Sequence, residues 1–384
     1  MKKKVLLFTG GGRLLDFYSE IFAFSFRQNG LDTILQDVYE KPGPELLGSI
    51  LKGEVAFGLC QNFLGLRYSL DGKCSLWEQT GLRVFLLLFD HPFHFDREWK
   101  EVPDTLTVLV MDRGHIPYIR RFYPTVTDVV FLPHAGIEAL LPHSPLENRD
   151  ITILYAGNLS RIEAQGLIPD LSSVTSYDAL RACREILSRL TEEPKYTTEE
   201  TIERYFKEQS IDFSDEELGK EIARLRFLES FAVSYFRELA IARFLEAGMD
   251  VTILGRGWEE TPFCAHPKLT LLGAVDPEEV LQFMNRAKCV FSTQTWFKDG
   301  GHDRIFNGQL AKSMVVTEET PYLRERFPEE KEVLFFSLEE LTGLPQRVEE
   351  VLSDTEKARA IASCGFESAL QNDTWASRFK GLAG

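Results

Sequence analysis

The chain has 384 residues, of which 44% are hydrophobic and 12% aromatic, and it carries a formal net charge of −16. This length is enough for two domains of ordinary size, each with its own packed core. The acidity argues against nucleic acids and anionic lipid surfaces as partners, because both recruit basic proteins.

The cysteines and the N-terminus indicate a cytoplasmic protein. None of the six cysteines forms a CxxC pair, so a zinc site is disfavoured and reduced thiols are expected. The basic N-terminus is followed by an apolar run of only Val5 to Phe8, too short for a signal-peptide core or a membrane span. No other stretch is long and uncharged enough to form a transmembrane segment.

A strand, a glycine turn and a helix open the chain. Val5 to Phe8 predicts a buried strand, and the helix after the turn ends near Gly30. This βαβ beginning predicts a doubly wound sheet. Leu15 stands where a GxGxxG motif needs its third glycine, which disfavours NAD. Gly11 and Gly12 are instead expected to let a ligand approach the backbone closely.

Three further buried strands of the first half end in loops that carry histidines. The strands are 84–89, 107–110 and 129–132, and the histidines are His91, His115 and His134. The carboxyl ends of parallel strands line one crevice. The histidine spacing fits no common metal-ligand pattern, so no metal site is predicted. His91 follows Asp90 and is the candidate general base, since histidine serves this role near neutral pH.

The second half begins a new sheet after a polar turn. Residues 151–155 predict a strand, followed by a second glycine loop with Gly157, Asn158 and Arg161. Residues 161–247 are mostly helical and highly charged, and one amphipathic helix is predicted from Ile222, Leu225, Leu228 and Phe231. The acidic part of this segment is expected to be a solvated helical surface. A later strand, 251–254, leads into a third loop, Gly255, Arg256, Gly257 and Trp258.

Residues 287–319 form the most informative stretch. They predict a strand, a polar loop, a helix from about 304 to 312 and a second buried strand. Gly300 and Gly301 precede His302, Asp303 and Arg304 at the start of the helix. Backbone N–H groups at a helix N-terminus and a guanidinium suit a phosphate. An ordinary loop with Asp303 as helix cap fits the local pattern equally well.

The blocks of the second half together resemble the donor domain of GT-B glycosyltransferases, in the "glycosyltransferases group 1" set that includes CgeB-like spore maturation proteins. The resemblance covers roughly 150–380, and the first half fits more generally as an acceptor domain. The matching blocks are ILYAGNLSR (153–161), FRELAIARFLEAGMDVTILGRGW (236–258), LTLLGAVDPEEVLQFMNRAKCVFS (269–292), GGHDRIFNGQLAKSMVVTEETPYL (300–323) and WASRF (375–379).

The resemblance implies an α/β protein with two Rossmann-like domains facing a cleft. Residues 1–149 would form the acceptor domain. Residues 150–360 would form the nucleotide-sugar donor domain, with a helical insertion at about 161–235. Residues 361–384 would form a C-terminal helix that packs back toward the first domain.

The implied activity is metal-independent transfer of a sugar from a nucleotide-sugar, such as a UDP-sugar, to a hydroxyl of an unidentified glycan, protein or small molecule. A bacterial, cytoplasmic enzyme without a cofactor is expected. Gly157, Asn158 and Arg161 would lie near the diphosphate, and the loop from Gly255 to Trp258 near the nucleotide. His302, Asp303 and Arg304 would face the diphosphate and sugar. Asn307 stands where family members commonly carry a glutamate that holds the ribose.

The chemistry agrees with this resemblance. The departing diphosphate needs positive charge, which Arg161, Arg256, Arg304 and a helix N-terminus can supply. An inverting enzyme would use His91 as the base for the acceptor hydroxyl, whereas a retaining enzyme can work without one. The sequence leaves the stereochemistry open.

Two alternatives stay open at this point. A nucleotide-sugar epimerase or hydrolase could use the same fold, because a fold does not dictate a function. A non-catalytic GT-B module could bind a partner through the acidic helical insertion, a hypothesis that Asn307 in place of glutamate favours. The arginines and glycines of the three donor-facing loops favour the transferase.

Overall fold

The computed structural model describes residues 3–138, 142–160, 168–294 and 296–382. The chain divides into two compact units. Unit 1 contains Met1–Ile137 and Asn372–Gly384, and unit 2 contains Glu138–Gln371. The boundary between the units thus falls between residues 137 and 138, whereas the sequence analysis placed it between 149 and 150. The C-terminal segment that belongs to unit 1 begins at residue 372, whereas the predicted segment began at 361.

Unit 1 is built on a six-stranded parallel sheet with the order β2-β1-β3-β4-β5-β6. Its central strands β4 and β5 are buried along their whole length, as their continuous apolar runs predict. The strands are β1 Lys4–Thr9, β2 Asp32–Asp37, β3 Val55–Gln61, β4 Val84–Leu88, β5 Leu106–Val110 and β6 Val129–Phe131.

The helices of unit 1 come from both ends of the chain. They are α1 Arg13–Gln28, α2 Pro44–Leu51, α3 Leu76–Thr80, α4 His115–Phe122 and the C-terminal helix Trp375–Phe379, which is α14 in chain order. Trp375 packs edge-on against Phe22 of α1, with ring centroids 4.7 Å apart, and Phe379 stacks on Phe26 at 4.4 Å. The last residues of the chain therefore complete the aromatic core of unit 1.

Unit 2 repeats this architecture with the strand order β12-β11-β10-β7-β8-β9, again all parallel. The strands are β7 Ile151–Ala156, β8 Val251–Leu254, β9 Leu269–Leu271, β10 Ala287–Ser292, β11 Met314–Glu318 and β12 Leu334–Phe336. The helices are α5 Ala179–Glu192, α6 Thr198–Glu208, α7 Asp215–Leu225, α8 Phe227–Glu246, α9 Pro277–Arg286, α10 Asp303–Leu310, α11 Pro321–Arg326, α12 Leu344–Ser353 and α13 Thr355–Asn372. Two doubly wound α/β units confirm the predicted fold class.

The helical segment before β8 differs in one detail from the sequence prediction. The apolar residues from Ile222 to Phe231 belong to two helices, because α7 ends at Leu225 and α8 begins at Phe227, with Arg226 between them. Serine and threonine side chains close capping boxes at the starts of α6 and α7. Among the described residues, no helix is long and apolar enough to cross a membrane.

Helix α10 lies unusually close to its sheet. A Cβ at Gly308 would lie 3.0–3.1 Å from side-chain atoms of Val315 and Val290 on the two strands beneath it. The missing side chain lets the helix settle directly on β10 and β11. This fixes the helix N-terminus, Asp303, at the edge where those strands end.

Candidate functional site

The strand order locates the ligand crevice of unit 2. The chain proceeds from β7 to β8 and β9 on one side, then returns to place β10, β11 and β12 on the other side of β7. In open parallel sheets, ligands bind outside the carboxyl ends of the two strands at such a reversal. Here those strands are β7 and β10, so the loops that begin at Gly157 and Thr293 form the candidate site.

Two glycine loops interlock at this edge. Gly255 has φ +146°, and a Cβ there would lie 2.3 Å from the carbonyl oxygen of Gly157. Gly257 has φ +86°, and its Cβ would lie 2.0 Å from the carbonyl oxygen of Leu159. Only glycine fits either position. The predicted glycines are therefore required for the two loops to pack against each other.

Asn158, Arg256 and Trp258 complete this packing. The Asn158 Oδ1 accepts a hydrogen bond from the Arg256 amide at 2.9 Å, while the Arg256 side chain is exposed. Trp258 is fully buried, and its indole N–H donates to the Gly157 carbonyl at 2.8 Å. The structure thus gives Asn158 and Trp258 anchoring contacts and leaves the Arg256 guanidinium accessible. Arg161 lies outside the described residues.

Arg304 holds the ends of β7 and β10 together. It is only 4% exposed, and its two terminal nitrogens donate to the carbonyls of Ala156 and Thr293 at 2.8 and 3.1 Å. Its Nε donates to His302 Nδ1 at 3.2 Å. The sequence suggested a guanidinium that reaches out to a phosphate. The structure instead shows a fixed, buried positive charge inside the wall of the crevice.

The start of α10 is capped by His302. Its Nδ1 accepts from the Arg304 amide at 3.3 Å, so Asp303, which the sequence offered as an alternative cap, is the first helical residue. Burial, with Arg304 nearby, lowers the pKa of His302. Asn307 donates from Nδ2 to Asp303 Oδ2 at 3.2 Å. Asp303 therefore places a carboxylate one turn before position 307, where the resembled family commonly has a glutamate.

Arg237, which no sequence motif singles out, is a second buried arginine of this site. It is 8% exposed, and its guanidinium donates to the Asn158 carbonyl at 2.6 Å. No acceptor in the described part of the chain reaches its Nε, and no carboxylate there lies within 4 Å of it. Burial lowers the pKa of Arg237, and the charge of Arg304 adds to this shift, while Tyr155 and Glu318 oppose it. On α8, Arg237 lies on the same buried face as Ala240, Ile241 and Phe244. A charged residue on the apolar face of a helix is the one sequence feature that could have pointed to it.

Polar side chains inside the sheet complete the site. Burial alone would raise the pKa of Tyr155, but the charges of Arg237 and Arg304 outweigh this and lower it. Gln294 fixes the loop after β10, since its amide donates to Glu318 Oε2 at 3.0 Å and its Oε1 accepts from the His302 amide at 2.9 Å. Burial raises the pKa of Glu318. These residues lie in apolar strands or next to them, where the sequence pattern predicts a buried strand and does not mark single polar residues as part of a site.

The glycine turn of unit 1 binds a carboxylate of the chain itself. The amides of Gly10 and Gly11 both donate to Asp16 Oδ1, at 2.8 and 3.2 Å. Gly12 precedes α1 with φ +92°, and a Cβ there would meet nothing within 4 Å. The chain's own carboxylate thus occupies two of the amides that a ligand phosphate would use, although Gly11 and Gly12 were predicted to contact the donor.

His91 begins a short 3-10 helix, Pro92–Phe95. Its Nδ1 accepts from the Phe93 amide at 3.2 Å, and its ring packs against Phe93, His115 and Tyr118. Burial holds the pKa of His91 well below its usual value, and because Nδ1 accepts a hydrogen bond, a neutral ring would carry its proton on Nε2. The lone pair that a general base needs is engaged at Nδ1. The geometry favours a capping role, and the base assignment stays a prediction.

The described residues contain no group of three or more His, Cys, Asp or Glu side chains arranged to hold a metal ion.

Comparison with known proteins agrees with this geometry. Residues 236–384 match a family model described as "Glycosyl transferase-like". No match was found among curated proteins. Among solved structures, a glycosyltransferase from Rickettsia africae is 11% identical, with 99% of this chain and 97% of that chain covered and a TM-score of 0.51.

Two further structures were determined with ligands. Anabaena Alr3699/HepE in complex with UDP and glucose is 11% identical, covers 100% of this chain and 98% of its own, and has a TM-score of 0.52. An alpha-glucosyltransferase in complex with UDP and a 13-mer DNA containing a HMU base is 9% identical, with the same coverage and a TM-score of 0.53.

The chain therefore has the two-domain GT-B fold. Its segment 236–384 is glycosyl transferase-like, so the predicted resemblance to GT-B glycosyltransferases is confirmed at the level of fold and family model. The narrower CgeB-like assignment stays a prediction.

Proposed function

We propose that the protein transfers a sugar from a nucleoside diphosphate sugar to an acceptor hydroxyl, without a metal ion. The observation that carries this proposal is the pair of buried arginines at the carboxyl ends of β7 and β10. Neither Arg237 nor Arg304 has a carboxylate of the described chain within 4 Å. Carbonyl oxygens accept their hydrogen bonds, so neither guanidinium forms an ion pair, and the more distant Glu318 and Tyr155 only partly offset the charge of Arg237.

A bound diphosphate would compensate this charge. Burying an unpaired ion is unfavourable, so such a site gains from an anionic ligand more than a surface arginine would. The N-terminus of α10 adds the partial positive charge of its helix dipole at the same edge. Positive groups that are already in place stabilise the charge that develops on a departing diphosphate, the role a divalent cation fills in other enzymes.

The nucleotide is proposed from the structural neighbours. UDP is bound in the Anabaena HepE and alpha-glucosyltransferase structures, and both have the same fold. We assign Gly157, the exposed Arg256 and the start of α10 to the donor site, with Arg237 as an added contact. Asp303, held by Asn307, is the carboxylate best placed to accept from donor hydroxyls. A bacterial, cytoplasmic setting, expected from the resemblance and the cysteines, stays part of the proposal.

The proposal is tested by calorimetry with UDP-, GDP-, dTDP- and CMP-sugars, each with and without EDTA. We expect one nucleotide-sugar to bind, with an affinity that EDTA does not change. Arg237→Met should weaken this binding by about 10- to 100-fold, the equivalent of one charge-assisted hydrogen bond of about 1.5–3 kcal/mol. Its thermal stability should change little, because a buried charge that forms no ion pair is removed.

Arg243→Met is the matched control, since Arg243 lies on the same helix and pairs with Glu246 at 2.8 Å. Its donor affinity should stay within twofold of the wild type. If the wild type binds none of the nucleotide-sugars, the transferase proposal is wrong. If Arg237→Met binds normally, the arginine pair is not the diphosphate site.

A further inference from the structure

A cavity of about 250 Å³ lies at the opposite edge of the unit 2 sheet from the donor loops. Strands β7, β10 and β11 begin at this edge, so the cavity is separate from the site described above. Three segments form it: the chain before β7, the second residue after the end of α10, and α13. Their polar members are His143, Ser144, Arg149, Lys312, Arg359 and Ser363.

The lining of this cavity is positively charged in a protein whose net charge is −16. It contains two arginines and a lysine, and no acidic residue. Arg149 is 5% exposed and forms the floor. Its guanidinium donates to the carbonyls of Ser144, Ala287 and Ala311 and to the Ser313 hydroxyl. Burial lowers the pKa of Arg149 to about 10, and no carboxylate opposes this effect.

The two cations at the mouth differ in their partners. Arg359 pairs on the exposed side with Glu147 and Glu356, at 3.1 and 2.9 Å. Lys312 has no carboxylate of the described chain within 4 Å, and its ammonium group lies 5.5 Å from the ring centre of Phe366. Of the two cations at the mouth, Lys312 is therefore the one without an ion-pair partner among the described residues.

The backbone of Lys312 gives a second, independent observation. It closes α10 with φ +56°, and the Ser313 amide then donates to the Gly308 carbonyl at 3.0 Å. This is the left-handed helix ending that glycine normally occupies, because a side chain is strained there. The chain thus places a lysine where glycine would be more stable, and directs its charge into a cavity that is already basic.

We propose that this cavity binds a phosphate group. Arg149 provides a fixed positive floor, Lys312 and Arg359 provide charged donors, and the hydroxyls of Ser144 and Ser363 can donate from the walls. The volume lies below the range of about 300–1,000 Å³ typical of drug-sized ligands, so the occupant is a small anion: inorganic phosphate or a small phosphorylated metabolite. The site does not depend on the proposed transferase activity.

The test is calorimetric titration of the full chain with inorganic phosphate and, separately, with glucose 1-phosphate, at constant ionic strength set by sodium chloride. Lys312→Gly is the decisive variant. We expect it to raise the unfolding temperature without ligand, since glycine suits the left-handed position, and to weaken phosphate binding at least tenfold. Tighter binding of the sugar phosphate would identify a metabolite as the occupant, and equal binding would identify free phosphate.

Ser210→Gly is the matched control. Ser210 also has φ +56° and ends α6 in the same way, because its amide donates to the Lys207 carbonyl and the next amide, of Ile211, donates to the Phe206 carbonyl. Ser210 does not line the cavity. It should gain stability and keep its phosphate affinity within twofold. Arg256→Gln, at the donor loops, should also keep it, which separates this site from the proposed diphosphate site.

Arg359→Gln gives a second measure, with an expected loss of at least threefold. If phosphate stabilises the protein no more than sodium chloride does, or if Lys312→Gly binds phosphate like the wild type, the cavity is not a phosphate site. If Arg256→Gln abolishes the binding, the phosphate belongs to the donor loops and the inference is likewise wrong.

Discussion

Each unit has a glycine turn after its first strand, but the charged side chain at the turn is an aspartate in unit 1 and an arginine in unit 2. In unit 1 the turn after β1 already contains an anion, because Asp16 accepts from the amides of Gly10 and Gly11. In unit 2 the turn after β7 lies against Arg304, whose terminal nitrogen is 2.9 Å from where a Gly157 Cβ would stand. The same motif binds a carboxylate of the chain in one unit and lies against cations that form no ion pair with the described residues in the other. Only the second therefore calls for an anionic ligand.

This contrast also explains why Gly11 and Gly12 are weaker candidates for donor contact than Gly157. A glycine turn binds phosphate through its amides and a nearby positive charge. Burial and charge partners decide whether those groups are available, and the glycine spacing carries no information about either.

The largest expected effect comes from removing the cation that lies beneath the unit 2 turn. Arg304→Ala leaves the carbonyls of half-buried Ala156 and buried Thr293 without their donors. At about 1–3 kcal/mol for each buried group, the free energy of unfolding should fall by about 4 kcal/mol. Urea denaturation measures the loss.

Arg304→Lys is the control for charge. A lysine keeps the positive charge but cannot reach two carbonyls and His302 together, so we expect a loss between the wild type and Arg304→Ala. If Arg304→Ala unfolds at the same urea concentration as the wild type, Arg304 is not part of the scaffold, and direct contact with the donor becomes the better assignment.

The second prediction compares a glycine from each unit directly. Gly257→Ala would place a Cβ 2.0 Å from the Leu159 carbonyl at a positive φ, so it should cost about 3 kcal/mol or more from strain and overpacking. Gly12→Ala also has a positive φ but meets nothing within 4 Å, and it should cost about 1 kcal/mol.

The two stabilities can be measured side by side by urea denaturation. Equal losses would show that the interlocked loops of unit 2 can relax, and that glycine serves there only for its backbone conformation. A clear difference would confirm that the loops are fixed by close backbone contact.

The sequence predicted the sheets well, because buried strands depend on local pattern. Buried strands appear as apolar runs, as in β4 and β5. Arg237 could not be recognised as readily, because its importance depends on Asn158, 79 positions away. The burial of Trp258 and Arg304 could not be predicted for a related reason: a motif shows which side chains are present, but not which of them the fold buries.

The smallest effect concerns two histidines that repeat one device in the two units. His91 and His302 each cap a helix through Nδ1, and burial lowers the pKa of both. Below the unfolded-state pKa of about 6.5, the unfolded chain binds protons that the folded chain does not, so stability should fall as the pH drops through this value toward the lower folded-state pKa.

Asparagine also caps helices but does not titrate here. His91→Asn should therefore stay within about 1 kcal/mol of the wild type at pH 8 and lose less stability between pH 7 and pH 5. If His91 is only a cap, turnover will survive this substitution. A large fall in turnover with normal donor affinity would instead restore His91 as the base and leave His302 as the only pure cap of the pair.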